Sequence, residues 1–488
     1  MRPILSSPGR TAAAAVAASL LAAGLSATTT PAPASAERPA RAAAHVGSVK
    51  VHRGGPDATV AFHRSRAGEV FLDVTVSARG VSWAERGNES AVVSAYVDGH
   101  YATDVVITSA GAVARQFALG HLGTGRHTLR LHYAAGRSRS DAGVAKLENI
   151  AFRTVAPGST AYAAARFAPV LYGRDVTGLG GRFQNNRTDT PLVAWHEVLP
   201  AATPGHSVIE YSVVWSNEDG GTATSALMAR WGRTTDIEWI YRVEIDAHGH
   251  RVPGTGAFQS PNHGTETFRG RYDGTHPLLQ TCTSNNNVCD AKALKAQHQA
   301  ADPMRFALST REVLPAGQPR EHVMDANPWT YQVMAREMVR EHKVEPMPDP
   351  SSPAMGDQRT YLYVAVDHDT VPPASAGGVG LTVDVTLDDH TTYTSNHGNT
   401  FLTVNRDDPA ATTVELPTGT TPADIASISV SRVVVPPVAD TGASLTVTDV
   451  QRAFFLGSTY LPRPSFLQWH GSLTLTTASP TQPIPLGP

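Results

Sequence analysis

Along most of the chain, apolar and polar residues alternate with a period of two, the spacing that puts every second side chain on one face of a β-strand. Val70-Phe-Leu-Asp-Val-Thr-Val76, Val92-Val-Ser-Ala-Tyr-Val97, Thr103-Asp-Val-Val-Ile107 and Gly125-Arg-His-Thr-Leu-Arg-Leu-His-Tyr133 predict strands, with Asp98-Gly99 as a hairpin turn. In the middle, Ile209 to Trp215 is a strand and Asp236 to Asp246 alternates strictly. That second run predicts Ile237, Trp239, Tyr241, Val243 and Ile245 on a core face, with Asp236, Glu238, Ile240, Arg242, Glu244 and Asp246 opposite. Strand patterns return from Arg359: Tyr361 to Val366, Gly380 to Leu387, Ala411 to Leu416, Ile428 to Val435 and Ser444 to Val450. Helical spacing fits only residues 291–301 and 331–343; the latter predicts Val333, Met334, Met338 and Val339 on its buried side.

The fold class that follows is mainly β and multidomain. N-terminal and C-terminal β-sandwiches, over residues 46–155 and 359–479, flank a central β-rich domain over 166–345 with a few short helices. Pro157-Gly-Ser159 and the Pro-rich stretch from Pro346 to Pro353 mark the boundaries, and the Pro-rich tail from Pro480 predicts loose chain. Five of the seven tryptophans fall in the central region: Trp195, Trp215, Trp231, Trp239 and Trp329.

Composition narrows the setting. Hydrophobic residues make up 41% of the 488 positions and charged residues 17%, enough apolar material for folded cores. A net charge of -3 gives no field favouring nucleic acid. Arg2 and Arg10, the alanine-rich apolar run from Thr11 to Ala27, and Ala34-Ser35-Ala36 have the order of a signal peptide over residues 1–36, so the protein is expected to be secreted and extracellular. No later stretch is long and apolar enough for a membrane span. Cys282 and Cys289 lie so close together that a disulfide is the simplest use of the pair in an oxidising compartment. Nothing in the pattern fixes an oligomeric state.

The chain lacks G-x-S-x-G, H-E-x-x-H, a Walker loop, a dinucleotide fingerprint and a full EF-hand. Glycosidases need none of these, only two placed carboxylates. Asp236 and Glu238, two apart on one strand, and Glu266 are the catalytic candidates. With His263 and His276, Asp236 and Glu238 also make a candidate ligand set for a divalent metal ion, the one cofactor these groups suggest. Aromatic faces stack on sugar rings, so Trp83 in a loop-like stretch, Tyr101 and Trp231 are binding candidates; Trp239 and Tyr241 are expected in the core.

Two resemblances bear on these residues. Tyr96-Val-Asp-Gly-His-Tyr-Ala-Thr-Asp-Val-Val106, followed by Leu119-Gly-His-Leu-Gly-Thr-Gly-Arg-His-Thr-Leu129, resembles galactose-binding-like β-sandwiches, a group that includes many carbohydrate-binding modules. The order of Arg166-Phe-Ala-Pro-Val-Leu-Tyr172, Glu210 to Trp215 and Gly232-Arg-Thr-Thr-Asp-Ile-Glu-Trp239 is similar to Vps62-like and necrosis-inducing-like β-sandwiches. In that family an Asp-Trp-Glu-type segment helps hold a metal; Asp236-Ile-Glu238 stands in its place here, and Arg233-Thr-Thr235 replaces the preceding histidine. The expectation is a secreted protein that binds a polysaccharide or cell-surface glycan. The alternatives are a hydrolase using the central carboxylates, with or without a metal, and a toxin-like interaction factor without enzymatic activity.

Overall fold

Alternation closes into paired sheets where both inward faces are apolar. β1 (Val49–His52), β2 (Ala58–Arg64), β3 (Gly68–Ser77), β4 (Ala91–Val97), β5 (His100–Ile107), β6 (Val113–Leu122), β7 (Gly125–Tyr133) and β8 (Val144–Val155) form two antiparallel four-stranded sheets. Their strand orders are β1-β8-β3-β6 and β2-β7-β4-β5. Leu72, Val93, Leu131 and Leu147 fill the space between them, each such burial being worth about 1.5–3 kcal/mol. Asp98 and Gly99 turn the β4–β5 hairpin with φ of 51° and 86°, the backbone that an Asp-Gly pair accommodates best. The computed structural model describes residues 47–173, 187–218, 223–290, 305–307, 312–313, 318–348, 352–407 and 409–485. The expected leader over 1–36 and the candidate helix over 291–301 lie outside the described residues.

A helix, α1 (Thr160–Phe167), starts where the sequence suggests only a boundary: the Ser159 hydroxyl accepts from the Tyr162 amide at 3.1 Å and caps it. The central region follows with β9 (Val170–Tyr172), β10 (Pro191–Pro200), β11 (Ser207–Trp215), the helix α2 (Thr224–Trp231), β12 (Asp236–Ile245), β13 (Ala257–Gln259) and β14 (Thr265–Thr267). Short strands β15 (Tyr272–Asp273), β16 (His276–Thr281), β17 (Val288–Asp290), β18 (Arg305–Ala307) and β19 (Glu312–Val313) complete it. One sheet runs β14-β13-β12-β11-β10-β19 and the other β15-β16-β9-β18, with β17 on β16. Ile209, Tyr211, Trp215 and Tyr241 of the first meet Leu171 and Leu279 of the second, with Ala164 and Phe167 of α1.

The third part is again two four-stranded sheets. β20 (Tyr361–Val371), β21 (Val379–Leu387), β22 (Thr392–Thr394), β23 (Ala410–Glu415), β24 (Ile425–Val434), β25 (Ser444–Phe454), β26 (Leu467–Leu475) and β27 (Thr481–Ile484) pair as β23-β20-β25-β26 and β22-β21-β24-β27. The protein is therefore mainly β, with sandwiches at both ends of a β-rich centre. Among the described residues no helix is long and apolar enough to cross a membrane.

Three local expectations are corrected. The tail after Pro480 is not loose: Thr481 to Ile484 pairs with Ser431 to Ile428, and Ile484 is buried in the sandwich core. Val339 on the helix Trp329–Arg340 is exposed, while Val333, Met334 and Met338 are buried as their spacing predicts. The strict alternation of β12 is broken by a bulge. Tyr241 pairs with Tyr211 but Trp239 pairs with Ser212, which leaves Ile240 as an extra residue. Ile237 therefore packs with Trp195 and Val214, whereas Tyr241, Val243 and Ile245 pack on the other side with Ile209 and Tyr211.

Candidate functional site

The bulge also decides where the two acids of β12 point. Asp236 lies opposite Trp215 and Glu238 opposite Val213, so both share the face of the inner cluster rather than facing solvent. Asp236 is 3% exposed. Its Oδ2 accepts from Asn286 Nδ2 at 2.9 Å, and the same amide reaches the carbonyl of Asn217 at 3.2 Å. Burial pushes the Asp236 carboxyl well above the usual carboxylate range, and the nearby charges of Glu238 and Glu218 add to this; Arg233 and the Asn286 bond oppose it. Burial raises Glu238 as well, against the Gln259 hydrogen bond and the His263 ring.

His263 stands at the outer edge of this pair, its Nδ1 3.7 Å from Glu238 Oε1. The disulfide between Cys282 and Cys289 closes the loop that walls the site. From that loop Asn285 Nδ2 approaches His263 Nε2 at 3.0 Å, while Asn286 covers Asp236. The sequence marked the two acids and the cysteines but gave no sign that the asparagines between the cysteines would face the acids.

The predicted metal set does not assemble. His276 turns away from Asp236 and Glu238: its Nδ1 lies 2.9 Å from the Ala168 carbonyl and its Nε2 3.7 Å from Glu69. Among the described residues no three His, Cys, Asp or Glu side chains are arranged to hold a metal ion. Glu266 also stands apart, exposed on β14, in a shallow depression with Pro261, Arg269 and Asp290.

His276 instead lines a cavity with Tyr101. The cavity, of about 480 Å³, lies between the edge strands β5 and β6 of the N-terminal sandwich, α1 and the β15–β16 turn. Its polar lining includes Glu69, Asp98, His100, His121, Asp273 and His276. Tyr101 comes from the hairpin that Asp98 and Gly99 turn, and its ring lies 5.5 Å from that of Tyr96. Glu69 is 3% exposed, with His121 Nδ1 3.3 Å from its Oε1. No sequence signal singles out Glu69 or His121: one is the second residue of its strand and the other the last but one of its own.

The remaining aromatic candidates divide. Trp83 is a correction: it is completely buried, packed with Trp195, Tyr331 and Tyr363, and its indole N–H donates to Glu337. A ring there cannot serve as a platform for sugar. Trp231, at the end of α2, is partly exposed, and the Arg406 guanidinium lies 4.0 Å from its ring centre.

No family model matches the sequence, and no curated protein matches it. Solved structures with partial likeness include a family GH115 4-O-methyl-α-glucuronidase, BtGH115A, described as specific for decorated arabinogalactans. It is 15% identical with a TM-score of 0.19, over 26% of this chain and 19% of that one. CBM35 from Cellvibrio japonicus Abf62 is 12% identical with a TM-score of 0.16, over 22% of this chain and 74% of that one. The EclA C-terminal domain, a sugar-binding protein, is 12% identical with a TM-score of 0.16, over 25% and 87%. This chain thus spans about a fifth of the glucuronidase, which it matches over 19% of that protein's length. Likeness at these scores assigns this chain neither an activity nor a ligand.

Proposed function

We propose that this chain is an extracellular glycan-binding protein whose sugar sits in the Tyr101 cavity. The observation that carries the reading is an aromatic side chain at the wall of a cavity of about 480 Å³ ringed by hydrogen-bonding groups. A sugar ring offers an apolar C–H face to an aromatic ring and hydroxyls to surrounding acids and imidazoles. The volume suits a small ligand or the end of a longer chain. The leader-like order of residues 1–36 and the Cys282–Cys289 disulfide support an extracellular setting. The partner is then a polysaccharide or surface glycan.

The test is retention of the purified protein on a panel of insoluble polysaccharides. The expected result is retention on at least one, reduced about tenfold by Tyr101→Ala and unchanged by Trp83→Phe among folded molecules. Absence of retention, or retention indifferent to Tyr101, overturns the reading.

A second reading has its own observation. Burial shifts both Asp236 and Glu238 towards the protonated state, the condition a general acid needs to protonate a glycosidic oxygen. The hydrolase reading uses these carboxylates, with His263 at the rim, and gives Glu266 no part in the step. It requires soluble product from the same panel, lost in Glu238→Gln while the fold is retained. Binding without product leaves the first reading alone.

A further inference from the structure

The Tyr101 cavity contains a buried carboxylate with poor company. Removing a carboxylate from water is costly unless a cation or good hydrogen bonds replace the solvent. Glu69 is 3% exposed, and among the described residues no lysine or arginine forms an ion pair with it. Among the described residues the one arginine lining the cavity, Arg166, lies instead near the rings of Tyr162 and Phe167, at 5.8 and 5.6 Å from their centres.

Two imidazoles approach Glu69, His121 within a long hydrogen bond and His276 beyond hydrogen-bond reach. His276 Nδ1 lies 2.9 Å from the Ala168 carbonyl, a group that can only accept, so this nitrogen carries the proton. In the neutral ring Nε2 then has a lone pair, and it is Nε2 that lies 3.7 Å from Glu69 Oε2. In that tautomer two acceptors face each other across 3.7 Å, beyond hydrogen-bond reach. His121 Nδ1 reaches only the other oxygen, Oε1, at 3.3 Å. A group with several N–H donors and a positive charge would satisfy the carboxylate and the imidazole lone pair together.

We propose that the Glu69–His276 acceptor pair receives a protonated primary amine, so that the preferred ligand is an amino sugar with an unsubstituted amino group. This rests on the glycan reading and deepens it. Tyr101 holds the ring face, and Glu69 selects the amine over a hydroxyl or an acetamide. A hydroxyl has one donor and no charge. An N-acetyl group presents one weaker donor and carries a methyl group towards a buried acid.

The experiment is calorimetric titration of the full chain at pH 7 with β-1,4-linked tetramers of glucosamine, N-acetylglucosamine and glucose. The glucosamine tetramer is expected to bind at least about tenfold more tightly than the other two, as a charge-assisted bond in a buried site allows. That margin should vanish in Glu69→Gln, a near-isosteric change whose folding is checked by its melting curve. The wild-type comparison stands even if the variant does not fold. Equal affinity for all three tetramers overturns the amine proposal and leaves the glycan reading intact. A preference that survives in folded Glu69→Gln removes Glu69 as the receiving group and overturns it too. Binding of none of the three, together with failure on the polysaccharide panel, overturns both.

Discussion

Asn286 donates its side-chain amide to Oδ2 of Asp236 at 2.9 Å, and so joins the disulfide-closed loop to the carboxylate of a sheet strand 50 residues earlier. The bond leaves Asp236 buried, with the carboxyl raised well above its ordinary range by that burial. An unfolded aspartate releases its proton near pH 3.9. Above that pH the folded state holds more protons at this position than the unfolded state. The contribution of Asp236 to stability is therefore fully present below the unfolded value and is lost as pH rises through the folded one. Asp236→Asn removes this titration and leaves that of Glu238 in place. Urea denaturation from pH 4 to pH 7 is expected to show the wild type losing stability relative to Asp236→Asn as pH rises. Parallel curves would show that Asp236 does not hold its proton on folding.

Trp83 lies where the N-terminal sandwich meets the helix Trp329–Arg340 and the C-terminal sandwich, in one cluster with Tyr331 and Tyr363. Trp83→Ala leaves a large cavity there and should cost about 3–5 kcal/mol. Trp83→Phe keeps most of the packing but removes the N–H donated to Glu337, with an expected cost of about 1–3 kcal/mol. Equilibrium denaturation reads both. A loss near zero for the alanine variant would be incompatible with a ring buried at this junction.

The loop between Cys282 and Cys289 places Asn285 on His263 and Asn286 on Asp236. Cys282→Ser combined with Cys289→Ser should lower stability by about 2–3 kcal/mol through the freer unfolded chain. It should also speed amide exchange across residues 283–287, because the covalent closure no longer holds them against the sheet. Unchanged exchange with lowered stability would mean that the asparagine contacts alone fix the loop.

Much of the fold was legible in local pattern. The strand Gly125–Tyr133 matches its alternating run, and the Asp98-Gly99 turn falls where the dipeptide predicts. Val333, Met334 and Met338 were readable from helical spacing, but Val339 was not, because an apolar residue at the edge of a stripe can fall on either side. In β12 the pattern itself misled. The inserted Ile240 reverses the facing of everything before it, and a bulge leaves no mark on a run that alternates without interruption. Four aliphatic or polar residues after Pro480 read as tail because their partner, β24, lies far earlier in the chain.

The sequence by itself determined many of the longer strands, the Asp98-Gly99 turn, the disulfide pairing and the mainly β class, because neighbours along a strand record in their polarity which side is buried. Only the tertiary structure decided that Trp83 is a core residue, that His276 leaves Asp236 for Glu69, and that Tyr101 shares a cavity with both. Those placements depend on how separate sheets pack, and polarity repeating over two residues carries no information about which distant surface a side chain will meet.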